Sequence, residues 1–282
     1  MNVKFLFSAL ILCCLFFTEQ NSFAQKDNQW KLIWSDEFNS GKVPDPNKWG
    51  FEEGFVRNHE LQWYQRENAF IRNGFLIIEG RKENKSNPDY LPDTRNWKRN
   101  REKIEYTAAS INTSGKFEFQ YGKLEVRAKI DTAMGLWPAI WTLGVNGEWP
   151  SNGEIDIMES YPIGGEHHIL ANVASGTEKR YIAKWDSEKI HLNHFLKKDK
   201  HWPSKFHVWS MEWDEKSIKL FLDGELLNET LQENTLNPDG SAPFKQPHYI
   251  LLNLAIGGDN GGDPSRTSFP SRYIIDYVRV YQ

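Results

Sequence analysis

The run Gly153-Glu154-Ile155-Asp156-Ile157-Met158-Glu159-Ser160 sets three carboxylates among isoleucine and methionine. Read as a strand, Glu154 and Asp156 point to one face, and Ile155 and Ile157 point to the other. Strict alternation would next put Met158 on the acidic face and Glu159 on the apolar one. A β-bulge at Ile157-Met158, one extra residue in the strand, returns Glu159 to the side of Glu154 and Asp156. The expectation is a bulged strand with a row of three carboxylates on one face.

Packing gives no reason for such a row. Like charges on one strand face repel, and each raises the proton affinity of its neighbours. Asp and Glu are also depleted in strands. The bland alternative is a half-buried strand with a solvated acidic face. The chemical alternative is a pair of carboxyls in different protonation states. One is ionised and nucleophilic and the other protonates a leaving oxygen, as glycoside hydrolysis requires. Asp156, between them, can hold or share a proton and so keep the outer two in different states. A metal cluster is a weaker reading. No His or Cys stands at ligand spacing, and hard-ion loops use Asp, Asn and Gly rather than an Ile-rich strand.

Glu154-Ile-Asp-Ile-Met-Glu159 resembles the signature of glycoside hydrolase family 16, in the bulged form of its laminarinase-like, endo-β-1,3(4)-glucanase members. Gly135-Leu-Trp-Pro-Ala-Ile-Trp-Thr-Leu143, Trp149-Pro-Ser-Asn-Gly-Glu154, Phe206-His-Val-Trp-Ser-Met-Glu-Trp213 and Asp276-Tyr-Val-Arg-Val-Tyr281 are similar to other segments of that family. The resemblance runs from about Trp34 to Gln282. It implies an all-β fold, a β-jelly-roll sandwich of two curved antiparallel sheets, with the signature strand at the centre of an open concave cleft. It also implies endo-acting hydrolysis with retention. Glu154 would be the nucleophile, Glu159 the general acid and then base, and Asp156 the group that tunes them.

The implied substrate is a β-1,3-glucan or mixed-linkage β-1,3-1,4-glucan. Relatives that cut agar, porphyran or carrageenan keep a marine galactan as an alternative, and the cations between Arg81 and Lys103 would suit a sulfated chain. A non-catalytic carbohydrate-binding jelly roll is a further alternative, disfavoured because both glutamates are present. No cofactor is implied for catalysis. A structural Ca2+ on the convex face is common in the family, and Glu37, Gly80 and Asp276 are the matching positions.

The 282 residues suit one large all-β domain or two small ones. About twelve to fifteen short strands separated by turns, with no internal repeat and no linker, favour one β-sandwich. Asn73-Gly74 and Asp223-Gly224 read as hairpin turns. Tyr249–Ile256 is a nearly continuous apolar run, as a central strand would be. Lys82–Tyr106 and Lys184–Trp202 read as loops, the first at the cleft rim, and the glycines at 257, 258, 261 and 262 read as a flexible one. Net charge is −4 without a basic stripe, so nucleic acid is not an expected partner.

Aromatic residues make up 14% of the chain, 12 of them Trp, at a mean hydropathy of −0.65. That many indoles in a polar chain implies that some line a wet surface, where a flat ring can meet the C–H face of a sugar. Trp137, Trp141 and Trp149, close to the signature, are the candidates, with the core as the rival place for Trp141. Asn58 and Glu60 would share a sugar-binding face with Gln62 if Arg57–Tyr64 is extended. Asn172 is a further candidate, and Arg81 matches an arginine that the resembled family places in its cleft.

Residues 1–24 read as a secretory signal, with Lys4, an apolar run from Phe5 to Phe17, and a small-x-small site at Ser22-Phe23-Ala24. Residues 25–282 are then a single catalytic domain, secreted or periplasmic and expected to be monomeric. The apolar run is too short for a membrane span. Cys13 and Cys14 lie inside it, and neither follows the small residue that lipid-anchor sites prefer.

Overall fold

The computed structural model describes residues 30–282, so the signal, cleavage and lipid-anchor expectations lie outside the described residues. Polar–apolar alternation produces strands, and residues able to adopt positive φ end them. Asn73 and Gly74 take φ of 54° and 77°, and Asp223 and Gly224 take 51° and 82°. Those pairs close two-residue hairpins whose twist matches the flanking strands.

In chain order the strands are β1 (Leu32–Asp36), β2 (Gly50–Phe51), β3 (Gln62–Tyr64), β4 (Ala69–Arg72), β5 (Phe75–Ser86), β6 (Lys103–Ala108), β7 (Ser110–Asn112), β8 (Gly122–Lys129), β9 (Leu136–Gly144), β10 (Glu154–Ile163), β11 (Glu166–Gly176), β12 (Ala183–His191), β13 (His207–Trp213), β14 (Ser217–Leu222), β15 (Glu225–Leu231), β16 (His248–Ile256) and β17 (Ser271–Tyr281). They form two sheets. A ten-stranded sheet runs β15-β14-β13-β8-β17-β5-β6-β3, with β1 added beside β17 and β4 beside β5. A seven-stranded sheet runs β12-β11-β10-β9-β16-β7-β2. The pairing is antiparallel throughout, except that β3 lies parallel to β6. This is the all-β jelly-roll sandwich that the sequence implied.

The two sheets bury one face each against the other. Trp209, Met211 and Trp213 of β13 and Leu124 and Val126 of β8 belong to the same core as Ile155, Ile157 and Met158 of β10 and Ile250, Leu252 and Leu254 of β16. The other face of the seven-stranded sheet carries a small second cluster, Ala139, Trp141 and Leu251, flanked by Leu143 and Tyr249. β9 and β16 are therefore buried on both faces, which is why Tyr249–Ile256 reads as a nearly continuous apolar run. The second cluster is the floor of the cleft.

Three loop expectations change. β5 runs on to Ser86 and β6 starts at Lys103, so the first loop shrinks to 87–102. Most of the charged stretch from Lys184 is ordered, as β12 and then a short helix, α1 (Leu192–Lys198). An edge strand tolerates charge on its exposed side, so its periodicity resembles that of a loop. The glycine run is not slack. Gly257 and Gly258 have φ of 65° and 71°, and a Cβ there would sit 2.5 Å from Leu61 Cδ1 and from the Asn58 carbonyl oxygen, respectively. Only glycine fits that turn.

Gly153 enters β10 at φ 81°, and a Cβ there would stand 2.9 Å from both Phe244 and Pro243. Gly153→Ala should lower stability by about 1–3 kcal/mol in urea titrations, the scale of a strained backbone position. It should also lower kcat, because Glu154 is the next residue.

Candidate active site

The bulge is present where the sequence places it. Against β9 the register passes from Asp156 opposite Trp141 to Met158 opposite Ile140. Against β11 it passes from Asp156 opposite Asn172 to Glu159 opposite Leu170. Ile157 and Met158 are both fully buried in the core. Two consecutive apolar side chains turn inward, and Glu159 comes out on the side of Glu154 and Asp156. All three carboxylates line a cleft cavity of about 800 Å³.

Indole and amide N–H groups hold the row. Trp149 Nε1 donates to Glu154 Oε2 at 2.6 Å. Trp137 Nε1 donates to Glu159 Oε1 at 2.7 Å, and Asn172 Nδ2 donates to Glu159 Oε2 at 2.8 Å. Asn172 also lies 3.4 Å from Asp156 Oδ2. Trp137, expected as a stacking surface, and Trp149, expected to bind substrate, are both donors to the carboxyls. Trp141 donates to Asn253 Oδ1 at 2.7 Å, and the Arg57 guanidinium lies 5.1 Å over its ring, covering one face.

Burial pushes all three carboxyls upward in pKa. Asp156 rises furthest, through desolvation and then the charges of Glu154 and Glu159. A hydrogen bond with Glu154 adds to the rise. Desolvation also raises Glu154, but Trp149, the Asp156 hydrogen bond and the Arg57 charge pull it back. Desolvation carries Glu159 to about 7 against the Trp137 bond, with added repulsion from Glu154. Donors to Glu154 and to Glu159 both favour the carboxylate; the Arg57 charge adds to this at Glu154, whereas repulsion from Glu154 adds to the rise at Glu159.

Asn58 and Glu60 also line the cavity, but not on an extended segment. Asn58 and His59 adopt φ of 55° and 49°, which makes a turn. Gln62 does not line the cavity. Its Nε2 donates to Glu60 Oε2 at 2.6 Å, and its Oε1 accepts from the Ile256 amide at 2.7 Å, tying the turn to β16. The 87–102 loop buttresses the same turn, since the Arg101 guanidinium donates to the carbonyls of His59 and Glu60.

Two expectations fail. Arg81 is not in the cleft, because its guanidinium is taken by Glu79 at 2.8 Å and the Glu67 carbonyl at 3.0 Å. The calcium set does not assemble either. Glu37 is held by Arg279, and Asp276 by Arg127. Gly80 pairs with Ser271, five residues of β17 and about 16 Å from Asp276, whereas calcium ligands share one ion at about 2.3–2.6 Å. Among the described residues no group of three or more His, Cys, Asp or Glu is placed to hold a metal ion.

Sequence reading missed Arg57, Asn253 and Tyr161, all of which line the cavity. Arg57 pairs with Glu52, which accepts from Ser110 Oγ at 2.6 Å. Asn253 had a signal, as the one polar residue inside the apolar run of β16.

The family described as Glycosyl hydrolases family 16 matches residues 82–279, and the chain belongs to it. It is a glycoside hydrolase. It is 33% identical to the Beta-glucanase of Rhodothermus marinus, over 100% of this chain and 94% of that protein. It is also 33% identical to Glucan endo-1,3-beta-glucosidase A1 of Niallia circulans, over 89% of this chain but only 38% of that longer protein. The laminarinase catalytic domain of Thermotoga maritima superposes with a TM-score of 0.74 at 35% identity, covering 90% of this chain and 98% of that one. A structure belonging to work on endo-acting O-glycanases, which prominent members of the human gut microbiota express to initiate mucin breakdown, superposes at 0.80 with 32% identity, covering 91% and 92%.

The proton on Glu159 makes a pH prediction. Its folded pKa of about 7 exceeds the ordinary 4.5, so the folded state binds that proton more tightly. Stability then falls as pH rises from about 4.5 to about 7 and stays lowered above. Glu159→Gln should unfold at a higher temperature than wild type near pH 8, with the difference vanishing near pH 4. In kinetics, kcat/KM should fall as pH rises through about 7. Trp137→Phe removes a bond that favours the carboxylate, so it should move that alkaline limb to higher pH.

Proposed function

We propose that the protein is a secreted, monomeric endo-glucanase that cleaves β-1,3- or mixed-linkage β-1,3-1,4-glucan with retention through a covalent glycosyl-enzyme. The observation that carries this reading is the bulged carboxylate row in a cleft, with Glu154 and Glu159 each held by an indole N–H. Glu159 protonates the leaving oxygen while Glu154 attacks the anomeric carbon. Glu159, then ionised, takes a proton from water as the intermediate is hydrolysed. Retention requires the two carboxyls about 5–5.5 Å apart across the sugar, and the bulge shortens their separation along the strand. Asn172 spans Asp156 and Glu159 and fixes their orientation.

Two of the relatives described above are named for β-glucan or β-1,3-glucan, which supports this substrate. The likeness to the mucin-linked structure favours one second reading, the same mechanism on host O-glycans. The comparisons do not favour a marine galactan or a binding-only protein.

Product profiling on laminarin, lichenan, agarose, porphyran, carrageenan and mucin O-glycans separates these readings. Oligosaccharide release from laminarin or lichenan, lost in Glu154→Ser, is the expected result. Release from O-glycans alone would keep the mechanism and replace the substrate. Binding without cleavage of any of them would overturn the enzymatic assignment for these polymers. Glu159→Gln should lower kcat on the cleaved glucan by about 10²–10⁴-fold, as loss of a general acid does.

A further inference from the structure

The seven-stranded sheet continues two strands beyond the carboxylates, and the outermost strand carries aromatic surface that the chemistry described above does not use. The register connects the rows. Glu154 lies opposite Ala174, which lies opposite Trp185, and Asp156, Asn172 and Ser187 form the next row. Glu159, Leu170 and Lys189 form the third. Directly opposed residues in antiparallel strands share a face, so Trp185, Ser187 and Lys189 stand on the cleft side. Their neighbours confirm it. Lys184 Nζ donates to the Asn234 carbonyl at 2.7 Å, and Asp186 accepts from Thr230 Oγ1 at 2.9 Å, both tying the alternate face to the segment from β15 onward. With strands about 4.8 Å apart, Trp185 lies about 10 Å from the Glu154 strand.

Trp185 is 46% exposed and Tyr181 is 51% exposed, and both line the cavity. Edge strands are ordinarily blunted with charge. β12 does this on its other face with Lys184, Asp186 and Glu188, while the cleft face presents an open indole. Tyr181 has φ of 62°, a region that bulky side chains avoid. A clasp holds it there. Arg180 donates to both oxygens of Glu148 at 2.7 Å and lies 4.7 Å over the Tyr181 ring, and the Tyr181 hydroxyl donates to the same carboxylate. Glu148 immediately precedes Trp149, the donor to Glu154, so the clasp joins the aromatic rim to the loop that holds the nucleophile.

We propose that Trp185 and Tyr181, with the Ser187 hydroxyl and Lys189 ammonium beside them, form a further sugar-binding subsite that stacks a pyranose of the polysaccharide beyond the scissile bond on the β12 side. The subsite rests on the glucanase reading for the identity of that sugar. It binds the polymer on the side of the carboxylates away from Arg57 and Asn253, so the chain runs through the cleft and is cut internally.

Two measurements test it. The first is steady-state kinetics of Trp185→Ala on laminarin and on the shortest laminari-oligosaccharide the enzyme cleaves. KM for laminarin should rise about tenfold with kcat held, the change that loss of about 1.4 kcal/mol of stacking gives. The short substrate should be unaffected, and Trp185→Phe should recover most of the loss. Glu148→Ala, which releases Tyr181, should give a smaller loss of the same kind. The second is calorimetric titration of laminari-oligosaccharides of increasing length into Glu154→Gln protein with and without Trp185→Ala. Affinity should climb with length only when Trp185 is present. Equal losses on short and long substrates, or length-dependent binding indifferent to Trp185→Ala, would overturn the subsite and leave the glucanase reading standing. Failure of every laminari-oligosaccharide to bind would overturn both.

Discussion

Ile157 and Met158 are neighbours in sequence, and both are fully buried in the core. A regular strand cannot send two consecutive side chains to one face, so β10 must bulge. Burying two large apolar side chains favours folding by about 1.5–3 kcal/mol each, and the bulge is the local distortion that allows it. Its chemical consequence lies on the opposite face, where Glu159 emerges beside Glu154 and Asp156 instead of pointing into the core. The arrangement of Glu154 and Glu159 is thus held by hydrophobic packing on the other side of the sheet.

That packing also supplies the electrostatics. The floor of the cleft is apolar because β9 and β16 are buried on both faces, and the indoles of Trp137 and Trp149 donate to the carboxylates beside it. Burial alone pushes all three upward. The donors distribute the cost unevenly. Glu154 receives an indole N–H, a hydrogen bond with Asp156 and the Arg57 charge. Glu159 receives an indole and an amide but feels the charge of Glu154. Burial, and then the charges on either side, push the central Asp156 well upward.

Much of the site was legible in the chain because the carboxylates share one short segment and the spacing rule for strands is strict. The hairpin turns were legible for the same local reason. Asn58 and Glu60 reached the site by a different route from the one expected, through two left-handed residues that propensity does not announce. Arg81 and the calcium positions failed because matching a residue to a motif says nothing of its partners. The Glu79 carboxylate claims Arg81, and strand register separates Gly80 from Asp276. β12 was hidden because an edge strand with one solvated face carries the composition of a loop.

Periodicity over a few residues was enough to establish the strands, the bulge and the face shared by the three carboxylates, because each follows from the two-residue repeat of a strand and the need to bury its apolar side. The roles of residues distant in sequence depended on tertiary structure. Arg57 over Trp141, Asn253 behind it, the indole N–H bonds to Glu154 and Glu159, and Trp185 level with Glu154 two strands away arise only when strands from separate parts of the chain are laid in register. Hydrogen bonds and desolvation act over a few ångströms of space, and only the folded sheet brings those residues within reach.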